Sequence, residues 1–97
     1  MTLTGCTANS SISVYKLGNS NRRLMTCNIT LSSSLAANSM IVIGKTTQKP
    51  MEFYTTAHAA NLSGGKWYSG AISIDPSNGN ITIVNEAPVR LSILYRT

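Results

Sequence analysis

Strict alternation of apolar and polar residues is the feature that most constrains this chain. In Met25-Cys27-Ile29-Leu31 every second residue is apolar, with Thr26, Asn28 and Thr30 between them. Such a period of two puts the two sets on opposite faces of an extended strand. The pattern returns in Tyr68-Gly70-Ile72-Ile74 and in Val89-Leu91-Ile93-Tyr95, and Ile12 and Val14 share a face of an earlier strand. Met40-Ile41-Val42-Ile43 reads as a strand buried on both sides, and Met51 to Thr55 as a strand with Phe53 inward and Glu52 outward. No long window carries apolar residues at helical spacing, and Leu35-Ala36-Ala37-Asn38 has room for one helical turn only.

The breaks between these runs are turn chemistry. Asp75-Pro76-Ser77-Asn78-Gly79-Asn80 joins two alternating runs, and Asn-Gly supplies the positive φ that a tight turn needs. Gly18-Asn19-Ser20-Asn21 does the same between strands expected at 11–17 and 23–31. With 97 residues there is room for one domain and one modest core. The expectation is a single all-β domain over residues 1–97: a small antiparallel β-barrel or jelly-roll sandwich of about seven or eight strands.

Composition narrows the function classes. Only 11% of residues are charged, and Ser, Thr and Asn make up roughly a third of the chain. Such a surface offers neutral hydrogen-bonding groups suited to sugars, water or packing against copies of itself. The formal charge of +5 comes from eight basic residues against Glu52, Asp75 and Glu86. The basic residues are scattered in sequence, and Arg22-Arg23 is their only adjacent pair. A nucleic-acid binder is expected to show a basic stripe interleaved with aromatics, so nucleic acid is not an expected partner. The longest apolar run, Met40 to Ile43, is too short to cross a membrane, and membrane insertion is not expected.

Cys6 and Cys27 fall on different expected strands and read as free thiols that act as small apolar residues; one disulfide is the alternative. No spacing of His, Cys or acids suits a metal, and no Gly-rich phosphate cradle or nucleophile elbow occurs, so no cofactor is expected. A glycosidase needs two carboxylates flanking one bond, and the three acids here are far apart in sequence. The chain therefore reads as non-enzymatic.

Thr56 to Lys66 reads as the longest connection and holds the only histidine, His58, close to the only tryptophan, Trp67. Gly64-Gly65 allows a sharp turn. An indole face beside His58, Asn61 and Lys66 suits a sugar: the ring covers the apolar C–H face and the polar groups bond hydroxyls. The alternative is that Trp67 plugs the end of a barrel or sits in a subunit interface, with His58 solvated.

The order of features has a counterpart. Ser13-Val14-Tyr15-Lys16-Leu17-Gly18-Asn19 opens it, and Met40-Ile41-Val42-Ile43-Gly44 leads to Lys49-Pro50. Gly70-Ala71-Ile72-Ser73-Ile74-Asp75, Asn78-Gly79-Asn80-Ile81-Thr82-Ile83 and Leu91-Ser92-Ile93-Leu94-Tyr95 complete it. This resembles the C-terminal head domain of siphophage receptor-binding proteins of the lactococcal-phage type. The resemblance lies in strand order and turn glycines over most of the chain. It implies a homotrimeric head at the virion tail tip, made in the host cytoplasm, that adheres to host cell-wall polysaccharide. It also implies a longer polypeptide whose N-terminal part contacts other tail or baseplate proteins. Binding in such heads tends to use Trp with His, Asp and Arg, which adds Asp75 and Arg90 to Trp67, His58 and Asn61 as candidates. A stand-alone carbohydrate-binding module, a trimerising tip that binds no sugar, and a small barrel for single-stranded nucleic acid are the other readings.

Overall fold

A computed structural model describes residues 1–32, 39–62, 66–84 and 89–97, with 56–62, 66–69 and 89 described by their backbone. Seven strands form: β1 (Ser11–Lys16), β2 (Arg22–Ile29), β3 (Met40–Lys45), β4 (Tyr54–Leu62), β5 (Lys66–Ile74), β6 (Asn80–Val84) and β7 (Val89–Arg96). They make two antiparallel sheets, one in the order β1-β2-β7 and one in the order β3-β6-β5-β4. Among the described residues the two sheets stay separate, so of the two expected architectures, barrel or sandwich, a closed barrel is not formed. The one-turn helix expected at Leu35 to Asn38 and the turn at Gly64-Gly65 lie outside the described residues. No described helix is long and apolar enough to cross a membrane.

The core joins the inner faces of both sheets. Ile12, Met25, Cys27, Ile29, Ile93 and Tyr95 come from the three-stranded sheet, and Ile43, Ile72, Ile74, Ile81 and Ile83 from the four-stranded one. Isoleucine suits this layer because its branched side chain is stiff and packs well on a pleated surface. Each fully buried Ile contributes about 2 kcal/mol of apolar burial. Cys6 and Cys27 are free, and burial pushes the Cys27 thiol up to about 11. Cys27 therefore stays protonated at neutral pH and behaves as an apolar residue.

Two short segments tie the sheets together. At one end Thr4 N–H donates to the Ile43 carbonyl (2.8 Å), while Ser32 N–H donates to the Gly5 carbonyl and Thr7 N–H to the Thr30 carbonyl. At the other, the buried Thr46 leads to Gln48, whose carbonyl accepts from the Tyr95 hydroxyl (2.8 Å), and Met51 N–H donates to the Arg96 carbonyl.

Two expected orientations are corrected. β3 is buried on one face only: Ile43 is fully buried, whereas Met40 and Val42 are 67% and 47% exposed. In a two-layer packing each sheet has a single covered face, and among the described residues nothing covers the other. The strand expected from Met51 starts instead at Tyr54, because Met51 and Glu52 form a bend. Tyr54 pairs with the buried Ile74 on the inner face, so Phe53 turns outward and is 61% exposed.

Candidate functional site

The expected long connection is a β-hairpin. Every residue from Tyr54 to Leu62 pairs with one from Lys66 to Ile74. The sequence concealed this because the alanines at 57, 59 and 60 blur the alternation of β4. Among the described residues β6 pairs with β5 only from Ala71 to Ile74, and the pairs from His58↔Gly70 to Leu62↔Lys66 continue the β4–β5 pairing beyond that stretch.

The register sorts the five candidate residues. Asn61 and Trp67 occupy directly paired positions, and antiparallel partners share a face. His58 lies three positions from Asn61, and alternation puts its position on the other face. The Asn61 and Trp67 positions fall in line with Thr55, Ser73 and Thr82, which form the outer face of the four-stranded sheet. Asp75, two residues beyond Ser73, ends the same line. Arg90 is on the other sheet, where it pairs with Asn28 on β2 and its guanidinium donates to the Ile29 carbonyl (3.4 Å). The register thus aligns Asn61, Trp67 and Asp75 and separates them from His58 and Arg90.

Trp67 lies on β5 and Asp75 just past its end, eight residues on, a span of roughly 27 Å at the usual rise. That is too far for one sugar ring to touch both ends, and it suits an extended chain. Near the Asp75 end the outer face has a cleft of about 370 Å³ lined by Met40, Phe53, Thr55, Ser73, Asp75, Asn80, Thr82 and Val84. Hydroxyls, one carboxylate and an exposed ring therefore meet there. A second cleft, about 290 Å³, lies on the other side of Phe53 and includes Met51, Glu52, Leu94 and Arg96. Phe53 is the residue that sequence reasoning missed. The bend at Met51 and Glu52 makes the strand start at Tyr54, so that Tyr54, not Phe53, becomes the inward residue.

Asp75 is largely engaged in its own turn. Its carboxylate accepts from the Ser77 hydroxyl (2.6 Å) and the Ser77 N–H (2.8 Å), and these bonds hold its carboxyl below the ordinary value. A carboxyl lowered by folding contributes stability above its unfolded value, and that contribution fades as pH falls through the lowered value. Asp75→Asn is expected to flatten the decline of melting temperature between about pH 5 and pH 2, since the amide oxygen still accepts but does not titrate. Parallel melting curves for both proteins across that range check this.

Among the described residues no cluster of His, Cys, Asp and Glu could hold a metal ion. Comparison with protein-family models, curated proteins and solved structures gives no match.

Proposed function

We propose that this chain is a non-enzymatic saccharide-binding head of the receptor-binding type, with a jelly-roll arrangement and a trimeric assembly at a virion tail tip. The reading rests most on one observation: the outer face of the four-stranded sheet runs from the paired Asn61 and Trp67 positions to the cleft around Phe53. Between the ends lie mainly small and hydroxyl residues, which leave a glycan chain room to lie flat and offer its hydroxyls neutral partners. An aromatic residue at each end, the Trp67 position at one and the exposed Phe53 at the other, is the residue type that offers a sugar an apolar platform. Each site binds weakly, and several copies on one particle multiply the adhesion. The ligand in this reading is a host cell-wall polysaccharide.

A second reading draws on the same face. Met40, Val42 and Phe53 are all exposed there, which favours packing against another copy in a trimerising tip that binds no sugar. Binding of purified wall polysaccharide by Trp67→Ala and Phe53→Ala separates the two. The saccharide reading expects each variant to stay folded and assembled by circular dichroism and light scattering, with binding reduced roughly tenfold or more for Trp67→Ala. Dissociation of assemblies by Phe53→Ala, with no polysaccharide bound even by the unaltered chain, establishes the second reading. Unfolding of Trp67→Ala makes Trp67 a core residue and removes that end of the track.

A further inference from the structure

The strand pairing gathers charge that the sequence scatters. Lys16, Arg22, Arg23, Arg90 and Arg96 all belong to the three strands β1, β2 and β7, and those strands contain no acid. Five of the eight basic residues of the chain thus fall on one sheet. Alternation sends Arg22, Arg90 and Arg96 outward, and all three are exposed. Arg22 pairs directly with Arg96, so two guanidinium groups share one end of the face while Arg90 marks the other, six residues away along β7. That separation is roughly 20 Å.

The ground between the arginines is built in rows. Next to the Arg22–Arg96 pair comes Tyr15, Leu24 and Leu94, with Tyr15 55% and Leu94 54% exposed. The following row is all hydroxyl: Ser13, Thr26 and Ser92. Asn28 and Ser11 then complete the row of Arg90. Of the three acids, Glu52 shares a cleft with Leu94 and Arg96 at one corner, Asp75 follows a strand of the other sheet, and Glu86 lies outside the described residues.

We infer that this outer face is a second binding surface, for an acidic polysaccharide chain carrying carboxylate or phosphate groups. Charge complementarity selects a polyanion, because three arginines on one face, with no acid on its three strands and Glu52 at the Arg96 corner, attract an opposite chain. The rows select a saccharide over single-stranded nucleic acid. Nucleic acid needs successive aromatic platforms for successive bases, and this face presents one ring, Tyr15, amid hydroxyl and amide groups. The guanidinium groups provide forked donors for carboxylate or phosphate oxygens, the hydroxyl row meets sugar hydroxyls, and Tyr15 with Leu24 and Leu94 covers an apolar sugar face. This surface is on the opposite sheet from the Trp67 track and does not depend on it.

The test uses the whole chain in affinity electrophoresis through polygalacturonate, phosphomannan, neutral dextran and oligo(dT), at 50 and 200 mM salt. Retardation by polygalacturonate or phosphomannan, absent with dextran and weakened several-fold by the added salt, is expected; the tighter of the two names the preferred anion. Arg22→Gln/Arg96→Gln is expected to lose roughly tenfold in affinity, and Tyr15→Ala several-fold. The control Lys45→Gln/Lys49→Gln removes the same charge elsewhere and is expected to stay within about twofold of the unaltered chain. Equal loss in both double variants means attraction by net charge alone and overturns the proposal. So does failure to bind either acidic polysaccharide, or tighter binding of oligo(dT) than of both. Circular dichroism confirms that each variant is folded.

Discussion

Gly79→Ala is expected to lower the melting temperature by roughly 15 °C or more, among the largest effects of any single methyl added to this chain. Gly79 has φ +77°, a conformation that costs an L-residue about 1–2 kcal/mol. The steric term adds to this. A Cβ built there meets the Thr46 carbonyl oxygen at 2.0 Å and its carbon at 3.1 Å. These are backbone atoms and have no rotamer by which to withdraw. Thr46 cannot drift away cheaply either, because its N–H donates to the Gly79 carbonyl (2.9 Å) and its hydroxyl accepts from Gln48 N–H (3.1 Å). Displacement would propagate to the bond between Gln48 and Tyr95, which ties the two sheets. Gly18 is the internal control: its φ is +60°, yet nothing lies within 4 Å of its missing Cβ. Gly18→Ala should therefore lose only the conformational term, a fall of roughly 5–10 °C. Thermal unfolding of the two variants by circular dichroism measures the difference. Equal losses at both positions would sink the argument that Thr46 closes against the turn.

Ile43→Ala and Val42→Ala should differ by roughly 2.5 kcal/mol although the residues are adjacent. Ile43 is fully buried among the isoleucines of the core, and its truncation is expected to cost about 3 kcal/mol through lost burial and the cavity left behind. For a domain of this size the whole stability is only about 5–15 kcal/mol, so a sizeable share is removed at once. Val42 faces outward and is 47% exposed, and its loss should cost about 0.5 kcal/mol or less. Urea unfolding of both variants gives the comparison through the shift in midpoint at constant slope. A large cost at Val42 would mean that its face is covered in solution. In that case the cost should rise with protein concentration, as it does for a subunit interface.

The strands that the sequence made legible are those with one wet and one dry face. β2, the end of β5 and β7 alternate cleanly, and the turns around Gly18 and Gly79 carry residues suited to positive φ. Where alternation is weak, sequence reasoning failed in specific ways. The run Met40 to Ile43 is apolar throughout, and a continuous apolar run does not say whether both faces are covered. At residues 56–66 the alanines, glycines and polar groups looked like a connection, because small residues on a sheet face have no hydrophobic signature. The candidate site suffered most. Trp67 and Asn61 are paired positions, but His58 falls on the opposite face, and a difference of one residue in register decides that.

Composition and alternation by themselves determined an all-β domain with tight polar turns, since side-chain period and turn conformation are local properties of the chain. The order of strands in each sheet, the outward turn of Phe53 and the gathering of five basic residues on β1, β2 and β7 were decided only by tertiary structure. Arg22 and Arg96 are far apart in sequence and become neighbours only when β2 pairs with β7. Pairing partners are chosen by the burial of both inner faces in one core, a property of the whole chain that no window of residues contains.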